Sequence, residues 1–415
     1  MPVRVAIIGG GASGMVAAIA ASRAGAEVRL FEKGERVGRK LLATGNGRCN
    51  LTNIDLDPVH FHGQVPTFSR SVLARHDSDW TLRLFEDLGI TPVVEERGRV
   101  FPRSGQASSV LDVLRWRMEE LGVQVLCGGT VQAVERTAGA FRVVADPVPP
   151  AGPGGTADRV VLATGGRAAP GLGADGSGYL LARSLGHRIL EPFPALAPLR
   201  LSSPWLRQLQ GTRFDGAVEV LCRGRVVAQS QGEVLFTDHG ASGPAVMDVC
   251  RAAGECLQAG DAVHLNVRLV ADLEPEVLRQ EVARRFEHLP HRPASAVLVG
   301  FLNKRLIPAV LRESGVTDLE QPAAGVAAAV RGRIADTLRS WSFEVIGTGP
   351  WAGAQVTAGG VDVADVDPDT LESRLVPGLF LAGEVLDVDG DCGGFNLQWA
   401  WASGHVAGEN AARGR

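Results

Sequence analysis

The sequence predicts an α/β chain in two parts: a discontinuous nucleotide-binding domain and a large α+β region inserted into it. Three observations predict this. The chain starts with a buried strand, a glycine-rich turn and a small-residue helix, "VRVAIIGGGASGMVAAIAASRAGA". Strand-like segments that run into glycine return much later, at "RVVLATGG" (159–166) and "VPGLFLAGEVLDVDG" (376–390). Between them, from about Pro192, the chain turns Pro-rich and then mixes strand-like and helical segments. The expected division is 1–190 with 342–415 for the nucleotide domain, and 191–341 for the insertion, read as a substrate or cap domain.

Taken in order, "VRVAIIG" (Val3 to Gly9) reads as a short buried strand. Gly9-x-Gly11-x-x-Gly14 follows, then a helix over Ala12 to Ala24 and a second strand, "AEVRLFE", ending at Glu32. In a Rossmann-like unit the first glycine permits the tight turn and the second lets the backbone approach a pyrophosphate. The third lets helix and strand pack closely, with the helix N-terminus facing the negative charge. Glu32 stands 18 positions after Gly14, placed to accept from ribose hydroxyls. Next comes "GRKLLATGNGRCNLTN" (Gly38 to Asn53). Arg39, Lys40 and Arg48 supply charge, Gly45 and Gly47 expose amides, and Asn46, Asn50 and Asn53 offer side-chain amides. Such a loop suits a second set of contacts to a diphosphate or a bulky ring.

"GGGASGMVAA" followed by "EKGERVGRKLLATGNGRCNLTN" closely resembles the BaiN/YhiN-type flavoproteins. These are NAD(P)/FAD-dependent oxidoreductases related to the glutathione-reductase and fumarate-reductase groups. The resemblance covers nearly the whole chain and implies FAD, with its adenosine on the first βαβ unit and the basic loop beside the diphosphate and ring. It places the cofactor against Gly9, Gly11, Ala12, Ser13 and Gly14, then Glu32 and Lys33. From the loop it adds Arg39, Lys40, Thr44, Gly45, Asn46, Arg48, Cys49 and Asn50. Further on it adds Ala163, Thr164 and Gly165, then Gly383 and Glu384 (the latter on the ribityl chain), and Gly394, Asn396 and Leu397.

Helical periodicity runs over Ser71 to Gly89 and Ala107 to Gly122, with strand-like "VQVLCG", "VQAVER" and "FRVVAD" after it and a turn over Val148 to Asp158. "PGLGADGSGY" holds a literal GxGxxG at Gly171, Gly173 and Gly176, but no strand leads into it, so it is not a second dinucleotide site. Any NAD(P)H donor then binds transiently and leaves after hydride transfer. Tyr179, the sole tyrosine, packs at a helix end or lines the substrate pocket.

In the insertion, helices are expected over 274–288, 294–313 and 321–339. "GEVLFTDHGASGPAVMDVC" reads as strand, turn and a helix with Ser242 as N-cap. His239 in that turn either donates a proton to, or contacts, substrate above the flavin, or the turn simply docks the insertion onto the nucleotide domain. "QVTAGGV" (355–361) re-enters beside the flavin in the resembling family. Asp387 either lines the substrate side or is a solvated loop acid. Gly393 and Gly394 allow close approach to the flavin. Asn396 and Leu397 begin a helix whose dipole faces the ring edge that gathers negative charge on reduction. Leu397, Trp401 and Gly404 face inward, and Cys392 reads as a turn residue rather than a redox thiol.

Net charge of -4 gives no electrostatic case for nucleic acid or an anionic membrane. The six cysteines form no CxxC, so neither a metal site nor a paired-thiol motif is expected, and the thiols are expected to be reduced in a cytoplasmic protein. The N-terminus is like a signal peptide, but its regular glycines argue against one, and no apolar run reaches the about 18 residues of a membrane span. The expected activity is NAD(P)H-dependent reduction of an activated, enone-type alkene on a small molecule. Oxidation of small amines by O₂ is the enzymatic alternative, and a non-catalytic flavin-carrying binding or RNA-modification partner is the second. Oligomeric state is not legible.

Overall fold

The computed structural model describes residues 1–137, 139–147 and 155–413. Most of the turn expected at Val148 to Asp158, residues 148–154, lies outside them. The chain divides into two compact units, Met1–Phe193 with Gln355–Arg415, and Pro194–Ala354.

The first unit is built on a five-stranded parallel sheet. Its strands are β1 (Arg4–Ile8), β2 (Glu27–Glu32), β3 (Gln124–Cys127), β4 (Arg159–Leu162) and β5 (Leu379–Leu381). Their order is β5-β4-β1-β2-β3, with Ile7 opposite both Leu30 and Val161, and Val161 opposite Phe380. The central strands read as unbroken apolar runs because both faces are covered, as a parallel sheet with crossover helices requires. Two of those helices, α1 (Ala12–Arg23) and α3 (Phe395–Ala412), lack a polar face for the same reason. They cross backbone to backbone. A Cβ on Gly404 would lie 2.3 Å from the Ser13 carbonyl oxygen, and one on Gly408 2.2 Å from that of Ala17. Between α1 and α3 in the chain lies α2 (Ser177–Ser184).

Three buried polar side chains of α3 anchor it to the loops that surround it. Gln398, fully buried, accepts from the hydroxyls of Thr52 (2.6 Å) and Thr81 (2.7 Å) and donates to the His76 carbonyl (2.6 Å). Trp401 donates to the Leu51 carbonyl (3.0 Å) and Trp399 to that of Gly383 (3.2 Å). Gly383, which opens the loop after β5, is thereby held from the helix side.

The second unit is a closed six-stranded barrel. Around it run Leu199–Ser202, Gly240–Ser242, Arg225–Phe236, Arg213–Cys222, Val263–Arg268 and Trp341–Thr348. Closure leaves no exposed sheet edge. The rings of Phe236, Trp341 and Phe343 pack at tilted angles within it, with Trp341 and Phe343 4.9 Å apart. The boundary expected at 341/342 therefore moves: Trp341–Thr348 pairs with Val263–Arg268 and closes the barrel, and the first unit resumes only at Gln355.

Three helix assignments differ. Ser71 to Gly89 is two helices, Phe68–Arg75 and Ser78–Asp87. The second is capped by Asp77, whose carboxylate accepts from the Trp80 amide (2.8 Å). In 294–313 only Ile307–Glu313 is α-helical, because Gly300 is left-handed (φ +80°) and Pro308 opens the helix late. In 321–339 the helix starts at Ala328, beyond Pro322. Ser242 belongs to a barrel strand, and Gly243 is the cap residue of Pro244–Gln258.

Candidate functional site

β1 delivers the chain into the glycine turn, where the glycines do different physical work. Gly9 is left-handed (φ +109°), and a Cβ on it would lie 2.3 Å from the Ala163 carbonyl oxygen. A Cβ on Gly14 would lie 1.8 Å from the Gly9 carbonyl oxygen. Gly11 is the exception, since a Cβ there meets nothing within 4 Å. It faces open space in front of α1, whose N-terminus carries no side-chain cap and no acidic residue in its first turn. Uncapped amides with the positive dipole end behind them form an anion site that includes Ala12 and Ser13.

Glu32 ends β2 and straps this turn. Its two oxygens accept from the amides of Gly10 (2.9 Å) and Gly34 (2.7 Å). Each oxygen keeps a second lone pair, so the expected ribose contact is compatible with this structural role. Lys33 pairs with Asp175 (2.6 Å). Burial raises the Asp175 carboxyl, but its bonds to Lys33 and Ser177 outweigh that and hold it below its ordinary value. Arg39 donates to the Gly171 carbonyl (2.7 Å). The segment containing the second GxGxxG is thus part of the wall of the first site. No strand feeds it: Pro170–Leu172 is a 3-10 turn.

The basic loop is more tightly self-bonded than its composition suggests. Gly45, Asn46 and Cys49 are all left-handed, with Asn46 at φ 56° and Cys49 at φ 61°. Arg48 pairs with Glu95 and stacks over Phe101, 4.1 Å from the ring centroid. Thr44 donates to the Leu41 carbonyl (2.7 Å), and Asn50 accepts from the Val100 amide (3.2 Å). Cys49 is fully buried, and burial pushes its thiol up to about 12, so it is inert as a nucleophile. Lys40 reaches out of the loop: its ammonium meets Glu384 at 2.8 Å.

Glu384 is the meeting point of three segments. One oxygen takes Lys40 and the other accepts from the Thr357 amide (2.9 Å). The Thr357 hydroxyl oxygen accepts from the amides of Arg167 (2.8 Å) and Ala168 (2.9 Å). The turn after β4, from Ala163 through Thr164 and Gly165, packs here too: a Cβ on Gly166 would lie 2.3 Å from the Thr357 hydroxyl oxygen. Thr357 was not among the residues expected to form the site, although it lies in "QVTAGGV". Thr357→Val keeps the shape and strands two amides, one of them buried. The expected loss is about 2 kcal/mol in urea denaturation, and an unchanged midpoint would show that those amides find water instead.

Beyond β5, Gly383 (φ +77°) lies against Ser13, and Gly394 (φ +108°) is the cap residue of α3. Asn396 folds back on the preceding loop, accepting from the Gly390 amide (2.9 Å) and donating to the Gly390 carbonyl (2.6 Å). Its side chain is thus committed to the loop, while the N-terminus it opens stays uncapped. Leu397 is half-buried and Trp401 and Gly404 are buried. Asp387 is buried rather than solvated and accepts from the Gln64 amide (2.6 Å). Cys392 is exposed.

Next to it stands a cluster that sequence reading missed. Asp391 takes His60 on one oxygen (2.9 Å) and His62 on the other (2.7 Å), and His60 stacks on Phe395 at 4.3 Å. Burial raises the Asp391 carboxyl, but the bonds to His62 and His60 prevail and hold it below its ordinary value.

The first unit therefore brings together the glycine turn, Glu32, Lys33, Arg39, Lys40, Ala163 to Gly165, Gly383, Glu384, Asp387 and Tyr179. His239 is a residue of the second unit, with its side chain 81% exposed and Asp238 3.3 Å away. Among the described residues no group of three or more His, Cys, Asp or Glu is arranged to hold a metal ion, and no helix is long and apolar enough to cross a membrane. Two observations fit a bound dinucleotide with a polar ring. The space in front of Gly11 is one, and the buried Tyr179 hydroxyl, whose proton has no acceptor among the described residues, is the other.

Residues 3–410 match the HI0933-like protein Rossmann domain. A 3-dehydro-bile acid delta(4,6)-reductase of Clostridium scindens is 40% identical over 411 residues, covering 99% of both chains. Two ribosomal RNA dihydrouridine synthases are also similar. The one from Haemophilus influenzae is 31% identical over 98% of both chains, and the one from Escherichia coli is 33% identical over 96% of this chain and 95% of its own.

Proposed function

This chain belongs to the HI0933-like family and is an oxidoreductase, and from that premise we propose that it holds FAD and reduces a carbon–carbon double bond conjugated to a carbonyl, with NAD(P)H as the electron donor. The observation that carries the FAD assignment is the open space at Gly11 before the uncapped N-terminus of α1, next to the Gly10 amide that Glu32 holds. FAD, when bound, supplies the two-electron hydride chemistry. The chain binds, orients and shields. Gly9, Gly11, Ala12, Ser13 and Gly14 hold the pyrophosphate, and Glu32 the ribose. Lys40 and Glu384 would serve the ribityl chain, and the uncapped N-terminus of α3 at Gly394 would stabilise negative charge on the ring. The overall conversion balances as NAD(P)H, a proton and the conjugated alkene giving NAD(P)⁺ and the saturated carbonyl compound.

The relatives' names support the bond type. A delta(4,6) double-bond system beside a 3-oxo group, and the uracil double bond lost in making dihydrouridine, are both conjugated to a carbonyl. A small enone is the first reading, favoured by the bile-acid reductase relative. Uridine in RNA is the second, favoured by the two dihydrouridine synthases, despite the net charge of -4.

The test is anaerobic mixing of the purified protein with NADH or NADPH, then with a 3-oxo-4,6-diene steroid or a uridine-containing ribosomal RNA fragment. We expect the flavin colour to bleach and the steroid to restore it. Restoration by RNA alone selects the second reading. In a separate assay with O₂ admitted, peroxide formed from small amines by protein that NAD(P)H does not bleach selects an amine oxidase, and flavin that responds to neither donor selects a binding role.

A further inference from the structure

Tyr179 is the one tyrosine of the chain and sits in α2, only 6% exposed. Its hydroxyl is buried and has no hydrogen-bond partner among the described residues. A buried hydroxyl left in this state is uncommon, because it has given up water without a replacement. Phenylalanine would fill the same volume without that cost, so packing alone does not account for the oxygen.

The surroundings show where the phenol proton is not used. Thr357 is adjacent. Both lone pairs of its hydroxyl oxygen take the amides of Arg167 and Ala168, so its own proton can turn to the phenol oxygen but it cannot accept the phenol proton. The Glu384 oxygens are taken by Lys40 and the Thr357 amide, and Asp387 accepts from the Gln64 amide. The ring lies over Gly176, which is left-handed (φ +80°) and where an added Cβ would come within 3.3 Å of it. The hydroxyl is buried with no acceptor for its proton among the described residues.

We propose that the Tyr179 hydroxyl is a dedicated hydrogen-bond donor to a conjugated carbonyl oxygen of the bound redox partners. The proposal rests on the flavin reading above. Two oxygens share this chemistry, a carbonyl of the flavin ring and the carbonyl of an enone substrate. Each gains negative charge as electrons arrive, and a preorganised donor strengthens as that charge grows. Tyr179 is a donor here and not a base. Burial, then the nearby Glu384 and Asp387 carboxylates, push the phenol far above its ordinary value and keep it protonated. No proton leaves it in this role.

Having a single tyrosine makes the test direct. Protein grown with 3-fluorotyrosine gives one fluorine resonance, recorded as the FAD-loaded protein, after FAD removal, and as the FAD-loaded protein with 4-androstene-3,17-dione. Tyr179→Phe, which keeps the ring volume, is compared with wild type in flavin midpoint potential and in binding of that steroid. If the acceptor is on the flavin, the resonance moves between the FAD-free and FAD-loaded forms. The variant then loses about tenfold in its preference for reduced over oxidised flavin, roughly 30 mV for two electrons. If the acceptor is on the substrate, the resonance moves on adding steroid, and the variant binds steroid about tenfold more weakly, by the loss of one hydrogen bond. A resonance that stays within its linewidth through all three states overturns the proposal, and so does a moving resonance with both variant readouts at wild-type values. If the purified protein shows no flavin spectrum and takes up no added FAD, the flavin reading and this proposal fall together. If flavin is present, only the proposal is at stake.

Discussion

Gly14→Ala is expected to lose the fold of the first unit, whereas Gly11→Ala keeps the fold and loses the cofactor. The two glycines are three positions apart in one motif, and each is consistent with a generic turn. The structure separates them. The Gly14 methyl would lie 1.8 Å from a backbone oxygen, that of Gly9, at the point where β1 hands over to α1. Nothing there can rotate aside, so helix and strand must part, at a cost of about 3 kcal/mol or more. Gly11 has an ordinary φ of -81° and an empty neighbourhood, so alanine costs at most about 1 kcal/mol as a poorer helix cap. Its methyl, however, occupies the approach of the pyrophosphate to the helix N-terminus. Flavin affinity should fall by about tenfold or more, which is roughly 1.4 kcal/mol. Urea denaturation and flavin absorbance per protein, measured on both variants, check this. Equal loss of stability in the two would remove the distinction.

The second large effect is an acid sensitivity centred on His405. This side chain of α3 lies 4.9 Å from the His76 ring and 5.0 Å from Trp80, and its Nδ1 is buried with no partner among the described residues. Burial first, then His76, Arg23 and Arg413, lower it to about 4, with Glu409 opposing. His76 is also lowered, by burial foremost. Folding therefore keeps His405 neutral where the unfolded chain binds a proton. Stability is whole above the ordinary histidine value of 6.5 and falls as pH drops towards about 4, by about 3 kcal/mol at most. His405→Leu should flatten the stability curve across that window. Asp391 acts lower down. Held below its ordinary value, it stabilises at neutral pH and stops doing so as pH falls through the acid range. A wild-type curve that is flat from pH 6.5 to 4 would count against the assignment to His405.

How much of this was legible beforehand follows from distance along the chain. The glycine turn is local, with strand, turn, helix and Glu32 inside the first 32 residues, and its strand–turn–helix geometry was readable. The weld at Glu384 was not, because Lys40, Thr357 and Glu384 come from three separate segments and only folding sets the 2.8 Å and 2.9 Å contacts. His60 and His62 stand 331 and 329 positions from Asp391, beyond any spacing rule. The basic loop was readable as special but not as rigid. Its Arg48 was expected at the cofactor and is spoken for by Glu95 and Phe101. The helix over 294–313 was overextended because apolar periodicity persists across Gly300, where the backbone does not follow it.

The crossing of α1 and α3 has a consequence for synthesis. α1 ends at Arg23 and α3 starts only at Phe395, so α3 is made long after α1, and the glycines that let them touch, Gly404 and Gly408, belong to α3. At about 5–20 residues per second, α1 waits roughly 20 to 80 s for its partner. The barrel strands, contiguous within 194–354, are all made before then. A nascent chain should therefore carry a finished barrel beside an apolar helix and an open parallel sheet, which is the state a chaperone would find.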